Sequence, residues 1–254
     1  MDSKLCVWDA RGTRAKDLIG HAGSVSALAV NADTAVSAGY DKTLRIWSIA
    51  PSVGARDGGD RGVLTGHKAP VLTLAWGSEG SATDRSTGST GGGLASGDRD
   101  GVVMLWDAGA GRAVGRRAGH KGHCTALAWV CDEEGAPPRL LLSGGQDGVV
   151  KAWDPRAAGT AAVAETAAHA EMRKKGAGVG AVGDIVQTSG GRVVTAGADG
   201  HVAVLDPRKG LGRIARLPCG DFGGDGGPPR NVRNRLDSRL KPSSETVSDA
   251  RRRA

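Results

Sequence analysis

The chain of 254 residues is 39% hydrophobic, which is enough to bury the core of a full domain and excludes a chain that is disordered throughout. Residues 1–206 carry 22 basic and 22 acidic side chains, whereas residues 207–254 carry 12 basic and 5 acidic ones, so the net charge of +7 belongs entirely to the last segment. The first residues lack the apolar region of a signal peptide and no run of about 18 apolar residues follows, so we expect a cytoplasmic or nuclear protein without a membrane span.

One polar pattern recurs four times along the chain. Each copy has a histidine, then a serine or threonine, an aspartate four residues after that hydroxyl, and a large apolar residue six positions after the aspartate. The aspartate lies between two apolar runs, as in Asp147-Gly148, and Asp-Gly is a strong signal for a β-hairpin because it tolerates positive φ. In chain order, the copies are His21/Ser37/Asp41/Trp47, His67/Ser96/Asp100/Trp106, His120/Ser143/Asp147/Trp153 and His169/Thr195/Asp199/Leu205.

The segments inserted within and between these copies vary in length and are rich in Gly, Pro, Ser or charged residues, which is typical of surface loops. They comprise residues 50–61, 77–93 and 131–138 and the basic run 172–175. At the start of the chain, Asp2 precedes Trp8 by six residues, so residues 1–9 match only the end of one copy. Residues 14–19 are then predicted to form the strand that follows it.

This pattern resembles the WD40 repeat family over about residues 2–217. The resemblance depends on Gly-His and Trp-Asp dipeptides, namely Gly20-His21, Gly66-His67, Gly119-His120, Trp8-Asp9, Trp106-Asp107 and Trp153-Asp154. It implies an all-β protein, a β-propeller whose blades are four-stranded antiparallel sheets around a central channel.

On this basis we predict a partial N-terminal blade at 1–19, repeats at about 20–64, 65–117, 118–166 and 167–217, and a disordered basic tail at 218–254. Four complete blades and a partial one are fewer than the roughly seven usual in this family, so we expect an incomplete ring. We interpret the sequence as a fragment of a longer propeller or a truncated gene model. The alternatives are a small distorted ring, or a ring completed by another chain.

Histidine, hydroxyl and aspartate together are also the catalytic set of serine hydrolases. A catalytic set occurs once in an enzyme, whereas this set recurs in every copy. The resemblance implies instead a buried hydrogen-bond network in each blade, in which the aspartate and the hydroxyl bracket the histidine ring and the tryptophan donates to the hydroxyl. We therefore predict that the protein is not an enzyme. The four cysteines form no Cys-x-x-Cys pair, so we expect no metal, cofactor or disulfide framework.

The resemblance also implies that the residue just before each turn aspartate lies near a partner-binding face. These residues are Tyr40, Arg99 and Gln146, with Ala198 in the fourth copy. Tyrosine and arginine are frequent anchors of protein interfaces, which favours a scaffold for protein–protein interaction. The alternative is that they are ordinary exposed turn residues.

Two further features predict more specific functions. The Trp-Asp-x-Arg motif, which ends at Arg11 and again at Arg156, resembles the box by which some WD40 proteins bind the adaptor of cullin-4 ubiquitin ligases, and implies a substrate receptor. An arginine at this position can also simply face solvent. The basic tail could neutralise phosphates, which predicts a ribonucleoprotein- or nucleic-acid-associated factor. Its arginines are not interleaved with aromatic residues, and a solvated extension is the alternative.

Overall fold

The computed structural model of the chain describes residues 3–49, 59–77, 93–131, 139–157, 159–169 and 180–219. Its backbone divides into two compact units, Met1–Leu217 and Pro218–Ala254, and in the second unit only Pro218 and Cys219 are described. Most of the predicted loops, the basic run at 172–175 and the tail from residue 220 therefore lie outside the described residues. Within the described ranges, no helix is long and apolar enough to cross a membrane.

The described residues form eighteen strands and one short 3₁₀ helix. The N-terminal sheet has two strands, β1 (Lys4–Trp8) and β2 (Arg14–Ile19). Sheet 1 consists of β3 (Val25–Asn31), β4 (Thr34–Gly39), β5 (Leu44–Ser48) and β6 (Asp60–Leu64). Sheet 2 consists of β7 (Val71–Trp76), β8 (Leu94–Asp98), β9 (Val102–Asp107) and β10 (Arg112–Ala118). Sheet 3 consists of β11 (Cys124–Val130), β12 (Leu140–Gly145), β13 (Val150–Trp153) and β14 (Ala164–Thr166). Sheet 4 consists of β15 (Val182–Gln187), β16 (Val193–Gly197), β17 (His201–Asp206) and β18 (Gly212–Pro218), with the 3₁₀ helix Pro207–Lys209 between the last two strands.

In every four-stranded sheet, each strand lies beside the next strand of the chain. The second and third strands are joined by a tight turn in which the residue after the turn aspartate has positive φ, as the Asp-Gly pattern predicts. These residues are Lys42 (φ 67°), Gly101 (φ 75°), Gly148 (φ 72°) and Gly200 (φ 74°). The predicted surface loop 50–61 is wrong at its C-terminal end, because β6 begins at Asp60, which pairs with Trp47.

Four hydrophobic clusters connect neighbouring sheets. One joins the N-terminal sheet to sheet 1 through Leu5, Leu18 and Trp47. The other three join sheet 1 to sheet 2, sheet 2 to sheet 3, and sheet 3 to sheet 4. Among the described residues, no such cluster joins sheet 4 to the N-terminal sheet.

Two apolar side chains of the inner strand β3 show the consequence of the two-stranded N-terminal sheet. Leu28 and Val30 are 55% and 53% exposed, whereas Leu127, on the corresponding strand β11, is 9% exposed and packs against sheet 2. The N-terminal sheet corresponds to only the last two strands of a blade. The two described strands of the N-terminal sheet, β1 and β2, leave Leu28 and Val30 uncovered.

Candidate functional site

The predicted polar set of sheet 1 comes together at one end of the sheet. His21 lies between two partners, with its Nδ1 2.8 Å from Asp41 Oδ2 and its Nε2 2.7 Å from Ser37 Oγ. The indole N–H of Trp47 donates to the same hydroxyl over 2.8 Å. An ionised carboxylate only accepts, so the Nδ1–H donates to Asp41 and the Nε2 accepts from the hydroxyl of Ser37. The four side chains satisfy one another inside the sheet, where the His21 side chain is fully buried.

Sheet 3 has the same geometry. His120 Nδ1 lies 3.1 Å from Asp147 Oδ1, its Nε2 lies 2.8 Å from Ser143 Oγ, and Trp153 donates to that hydroxyl over 2.9 Å. Burial lowers the pKa of His120 despite the neighbouring carboxylate of Asp147, so the ring is neutral at pH 7. A neutral ring, with one donor and one acceptor nitrogen, fits these two partners.

In sheet 4 the histidine again contacts an aspartate and a hydroxyl, but the other partners of these groups differ from those in sheets 1 and 3. His169 lies 3.0 Å from Asp199 Oδ1 and 2.9 Å from Thr195 Oγ1. Leu205, which replaces the tryptophan, is fully buried but has no N–H to donate. A residue that the sequence pattern did not indicate, Arg216 on β18, instead donates to Asp199 Oδ2 over 2.9 Å. Burial opposes ionisation of Asp199, but the hydrogen bonds from Arg216 and His169 outweigh it and lower the pKa of this carboxyl.

In sheet 2 the prediction of Asp100 is wrong, because the histidine binds Asp98. His67 Nδ1 lies 2.7 Å from Asp98 Oδ2 and its Nε2 lies 2.6 Å from Ser96 Oγ, to which Trp106 donates over 2.7 Å. The side chain of Asp98 is 2% exposed, whereas Asp100 is exposed at the turn. The backbone N–H of Asp100 donates to Asp98 Oδ1 over 3.0 Å, so Asp100 contributes its backbone to the network.

The position two residues after the hydroxyl explains this shift. It is Gly39, Gly145 and Gly197 in sheets 1, 3 and 4, and Asp98 in sheet 2. An ideal Cβ at Gly39 would lie 2.8 Å from both His21 Nδ1 and the Asp41 carboxylate, so the turn aspartate reaches its histidine only across a glycine. In sheet 2 the aspartate at this position contacts the histidine directly. The missing glycine is a sequence signal that could have identified Asp98.

The four turn residues predicted to contact partners occupy equivalent places. In each sheet, the backbone N–H of that residue donates to the carbonyl of the residue preceding the inner strand. The pairs are Tyr40 to Ser24 (2.9 Å), Arg99 to Pro70 (2.9 Å), Gln146 to His123 (2.8 Å) and Ala198 to Ala181 (2.8 Å). The loops that lead into the inner strands β3, β7, β11 and β15 are called the entry loops here. We call the surface formed by these loops and the four turns the turn face. Tyr40 is 49% exposed and Arg99 is exposed. The Gln146 amide oxygen accepts from the His123 N–H over 3.4 Å, so this side chain lies back across its entry loop.

The two Trp-Asp-x-Arg copies lie at the opposite ends of their strands from the turns. In each copy the aspartate accepts from the backbone N–H of the arginine over 2.9 Å, which holds Arg11 on Asp9 and Arg156 on Asp154. The Arg156 guanidinium also donates to Asp154 over 3.1 Å, and this hydrogen bond is the main reason that the pKa of Asp154 lies below its ordinary value. The Arg156 side chain is 68% exposed.

Comparison with known proteins identifies the family. The family model described as WD domain, G-beta repeat matches residues 12–48, 58–107 and 111–154, which together make up more than half of the chain. The chain belongs to the WD40 repeat family. The match to the family model does not extend over sheet 4, in which Leu205 occupies the position of the tryptophan.

A chain in the crystal structure of the mitotic checkpoint complex has a similar fold, with a TM-score of 0.66 and 20% identity over 86% of this chain and 59% of that chain. The predicted fold class, an all-β WD40-type propeller, is therefore confirmed. In the described residues it has four complete blades and a partial one.

Curated relatives match smaller parts of the chain. A CCR4-associated factor 4 homolog from Candida glabrata is 29% identical over 52% of this chain, which corresponds to 25% of the relative's length. The ribosome biogenesis protein YTM1 from Scheffersomyces stipitis is 34% identical over 29% of this chain and 18% of its own length, and that of Saccharomyces cerevisiae is 32% identical over 29% and 20%. The chain thus matches only a quarter or less of each of these relatives.

Proposed function

We propose that this WD40 protein is a non-catalytic scaffold that binds other proteins through its turn face, with Tyr40 and Arg99 as anchors. The observation that carries the proposal is the repeated backbone hydrogen bond that holds the residue before each turn over the entry to an inner strand. This bond places side chains from four sheets at corresponding positions. The scaffold can therefore present variable side chains on a constant frame.

The polar sets beneath this face support a structural role rather than catalysis. Each histidine of the four sets is committed to a carboxylate on one side and a hydroxyl on the other. In three of the four sets the hydroxyl also accepts from a tryptophan deep inside the sheet, and such a hydroxyl is not placed to attack a substrate. The polar sets and the turn face thus have separate roles. The polar sets hold the turns in place, and the exposed residues of the turn face contact the partner.

Charge supports an acidic partner for the turn face. The exposed charged residues in its described turns and entry loops are mainly basic, with Lys42, Lys68, Arg99 and Lys121 against Asp100. Complementary charge accelerates association and suppresses binding of the wrong partners.

Affinity purification of the full chain, followed by mass spectrometry, tests the proposal. The double variant Tyr40→Ala, Arg99→Glu should lose the partners that the wild-type chain recovers. Arg112→Glu is the matched control, because it makes the same charge reversal at the opposite end of sheet 2. Equal recovery by the double variant and the control would refute binding at the turn face.

A substrate receptor of a cullin-4 ubiquitin ligase is a second candidate function. It is supported by the exposed guanidinium of Arg156, held beside Asp154 at the end of a complete sheet. Co-precipitation with the cullin-4 adaptor should be lost in the double variant Arg11→Ala, Arg156→Ala. Retention of the adaptor by that variant would exclude this role for the motif.

A third candidate is a factor associated with ribonucleoprotein assembly. It is supported by similarity to the ribosome biogenesis protein YTM1 and by the twelve basic residues of the last 48 positions. The chain should then sediment with ribosomal precursor particles in a salt-dependent manner, and removal of residues 220–254 should weaken that association. Sedimentation that is independent of both salt and the tail would contradict the nucleic-acid component.

A further inference from the structure

The inner strand β3 exposes two apolar side chains on a side that the other sheets cover. Leu28 and Val30 are 55% and 53% exposed, and they lie on the same side of the strand. Leu28 pairs with the hydroxyl residue of its polar set, and its counterparts in sheets 2, 3 and 4 are Leu74, Leu127 and Ile185. Each counterpart belongs to, or packs against, the cluster that joins its sheet to the preceding one. We call Leu28 and Val30 the β3 patch.

The β3 patch continues an interface that already exists within the chain. The cluster between the N-terminal sheet and sheet 1 contains Leu5, Leu18 and Trp47, and Val25 at the start of β3 packs against it. Leu28 follows Val25 along the same strand. The patch is therefore the uncovered part of the surface on which the N-terminal sheet lies.

The N-terminal sheet has an apolar surface of its own on its other face. Leu5 and Leu18 face sheet 1, so Trp8 at one end of β1 and Ile19 at the end of β2 lie on the opposite face. These two side chains are 59% and 61% exposed. We call Trp8 and Ile19 the outer patch.

The polar side chains between Trp8 and Ile19 are paired with each other. Arg14 Nε donates to Asp17 Oδ1 over 2.6 Å, and the same guanidinium donates to Cys6 Sγ over 3.2 Å. A surface that covers the outer patch therefore meets an ion pair and not a single uncompensated charge, which would be costly to bury.

Opposite charges lie at the end of the molecule that both patches share. β1 ends at Trp8 and β3 ends at Asn31, both at the end opposite to the turn face. The turn after β1 carries the exposed Arg11, whose backbone N–H donates to Asp9, and the turn after β3 carries the exposed Asp33.

We propose that a second copy of the chain covers the β3 patch with its outer patch, and that the contact is reciprocal. In this two-fold dimer the two N-terminal sheets lie side by side, β1 next to β1, in one layer between the two copies of sheet 1. Each N-terminal sheet then has sheet 1 of its own chain on one face and sheet 1 of the other copy on the opposite face. Arg11 of one copy meets Asp33 of the other at the shared end.

Two physical arguments favour a second copy as the occupant. A two-fold interface must be self-complementary, and this chain carries both an uncovered apolar step and an exposed apolar face, with opposite charges beside them. One patch alone is far smaller than the roughly 800 Å² per partner of a stable interface, so a reciprocal contact that covers both patches of each copy is favoured. The dimer leaves the turn face uncovered and does not depend on the function proposed for it.

Sedimentation equilibrium of the full chain, from about 1 to about 100 µM, tests the dimer. The average mass should approach twice the 25.7 kDa of one chain as the concentration rises. Val30→Glu should raise the dissociation constant by about tenfold or more, because the contact would bury a charge. Val186→Glu is the matched control, since Val186 is 54% exposed on the inner strand β15, and it should dimerise like the wild type. A thermal melt of each variant establishes that it is folded.

Charge reversal tests how the two copies are arranged. Arg11→Glu and Asp33→Arg should each raise the dissociation constant by about threefold or more, because like charges then meet at both ends of the interface. The double variant Arg11→Glu, Asp33→Arg should restore the wild-type value, since opposite charges meet again.

Three results would overturn the proposal. They are a monomeric mass at every concentration, an equal effect of Val30→Glu and Val186→Glu, and a double charge reversal that restores nothing. The first of these would favour a different protein as the occupant of the β3 patch. The turn-face variant Tyr40→Ala, Arg99→Glu should dimerise like the wild type, so failure of the dimer and failure of the turn face are distinguishable.

Discussion

The two aspartates at the turn of sheet 2 provide the sharpest test of the polar network. Asp98 accepts from His67 Nδ1 and from the backbone N–H groups of Asp100 and Val102, over 2.7, 3.0 and 2.9 Å. Asp98→Ala removes all three contacts and leaves a buried histidine N–H without a partner. An unsatisfied buried donor costs about 1–3 kcal/mol, and the two turn contacts add to this because water replaces them only in part. We therefore expect Asp98→Ala to lower the free energy of unfolding by about 2–4 kcal/mol.

Asp100→Ala is the matched control, four positions after the same hydroxyl. Its side chain is exposed and the backbone N–H that it contributes remains, so we expect a change within about 0.5 kcal/mol. Urea unfolding of the full chain, followed by tryptophan fluorescence, measures both variants from the shift in midpoint at a constant slope. If Asp100→Ala lowers the free energy of unfolding as much as Asp98→Ala does, the contact between His67 and Asp98 would not explain the stability of the network. The aspartate at the constant spacing, Asp100, would then be the one that matters.

Three further predictions concern the other sheets. Gly39→Ala should destabilise the protein by about 1–3 kcal/mol, because the added methyl group meets the buried histidine of sheet 1, and an unchanged urea midpoint would contradict that contact. Trp153→Phe keeps a large ring but removes the donor to Ser143, so the same measurement should show a loss of about 1 kcal/mol, and no loss would mean that this hydrogen bond adds nothing. The folded-state pKa of His120 lies below its unfolded value of about 6.5, so its contribution is present above that pH and is lost as pH falls through the folded pKa. The urea concentration at the midpoint should therefore decrease as the pH is lowered from about 7.5 to about 5.5. A constant midpoint over this pH range would refute the assignment of a neutral buried ring.

Much of the fold could be predicted because its signals are local and repeated. An Asp-Gly turn between two apolar runs predicts a hairpin wherever it occurs, and β12 and β13 meet at Asp147-Gly148. Four copies of the pattern with constant spacing predict four equivalent sheets, and the spacing from hydroxyl to tryptophan survives even in sheet 2. The constant spacing also led to the wrong prediction of Asp100. It considers only the turn position and not the position two residues after the hydroxyl, which is glycine in the other three copies and Asp98 in sheet 2.

The sequence by itself determined that the chain is a series of hairpin sheets with one polar set in each, since a hairpin depends on residues close together in the chain. The tertiary structure alone decided which aspartate binds His67, that Arg216 takes part in sheet 4, and that Leu28 is left exposed. The physical reason is that burial and charge at these places depend on side chains from other strands or neighbouring sheets. No spacing within a single repeat records which of those side chains approach each other.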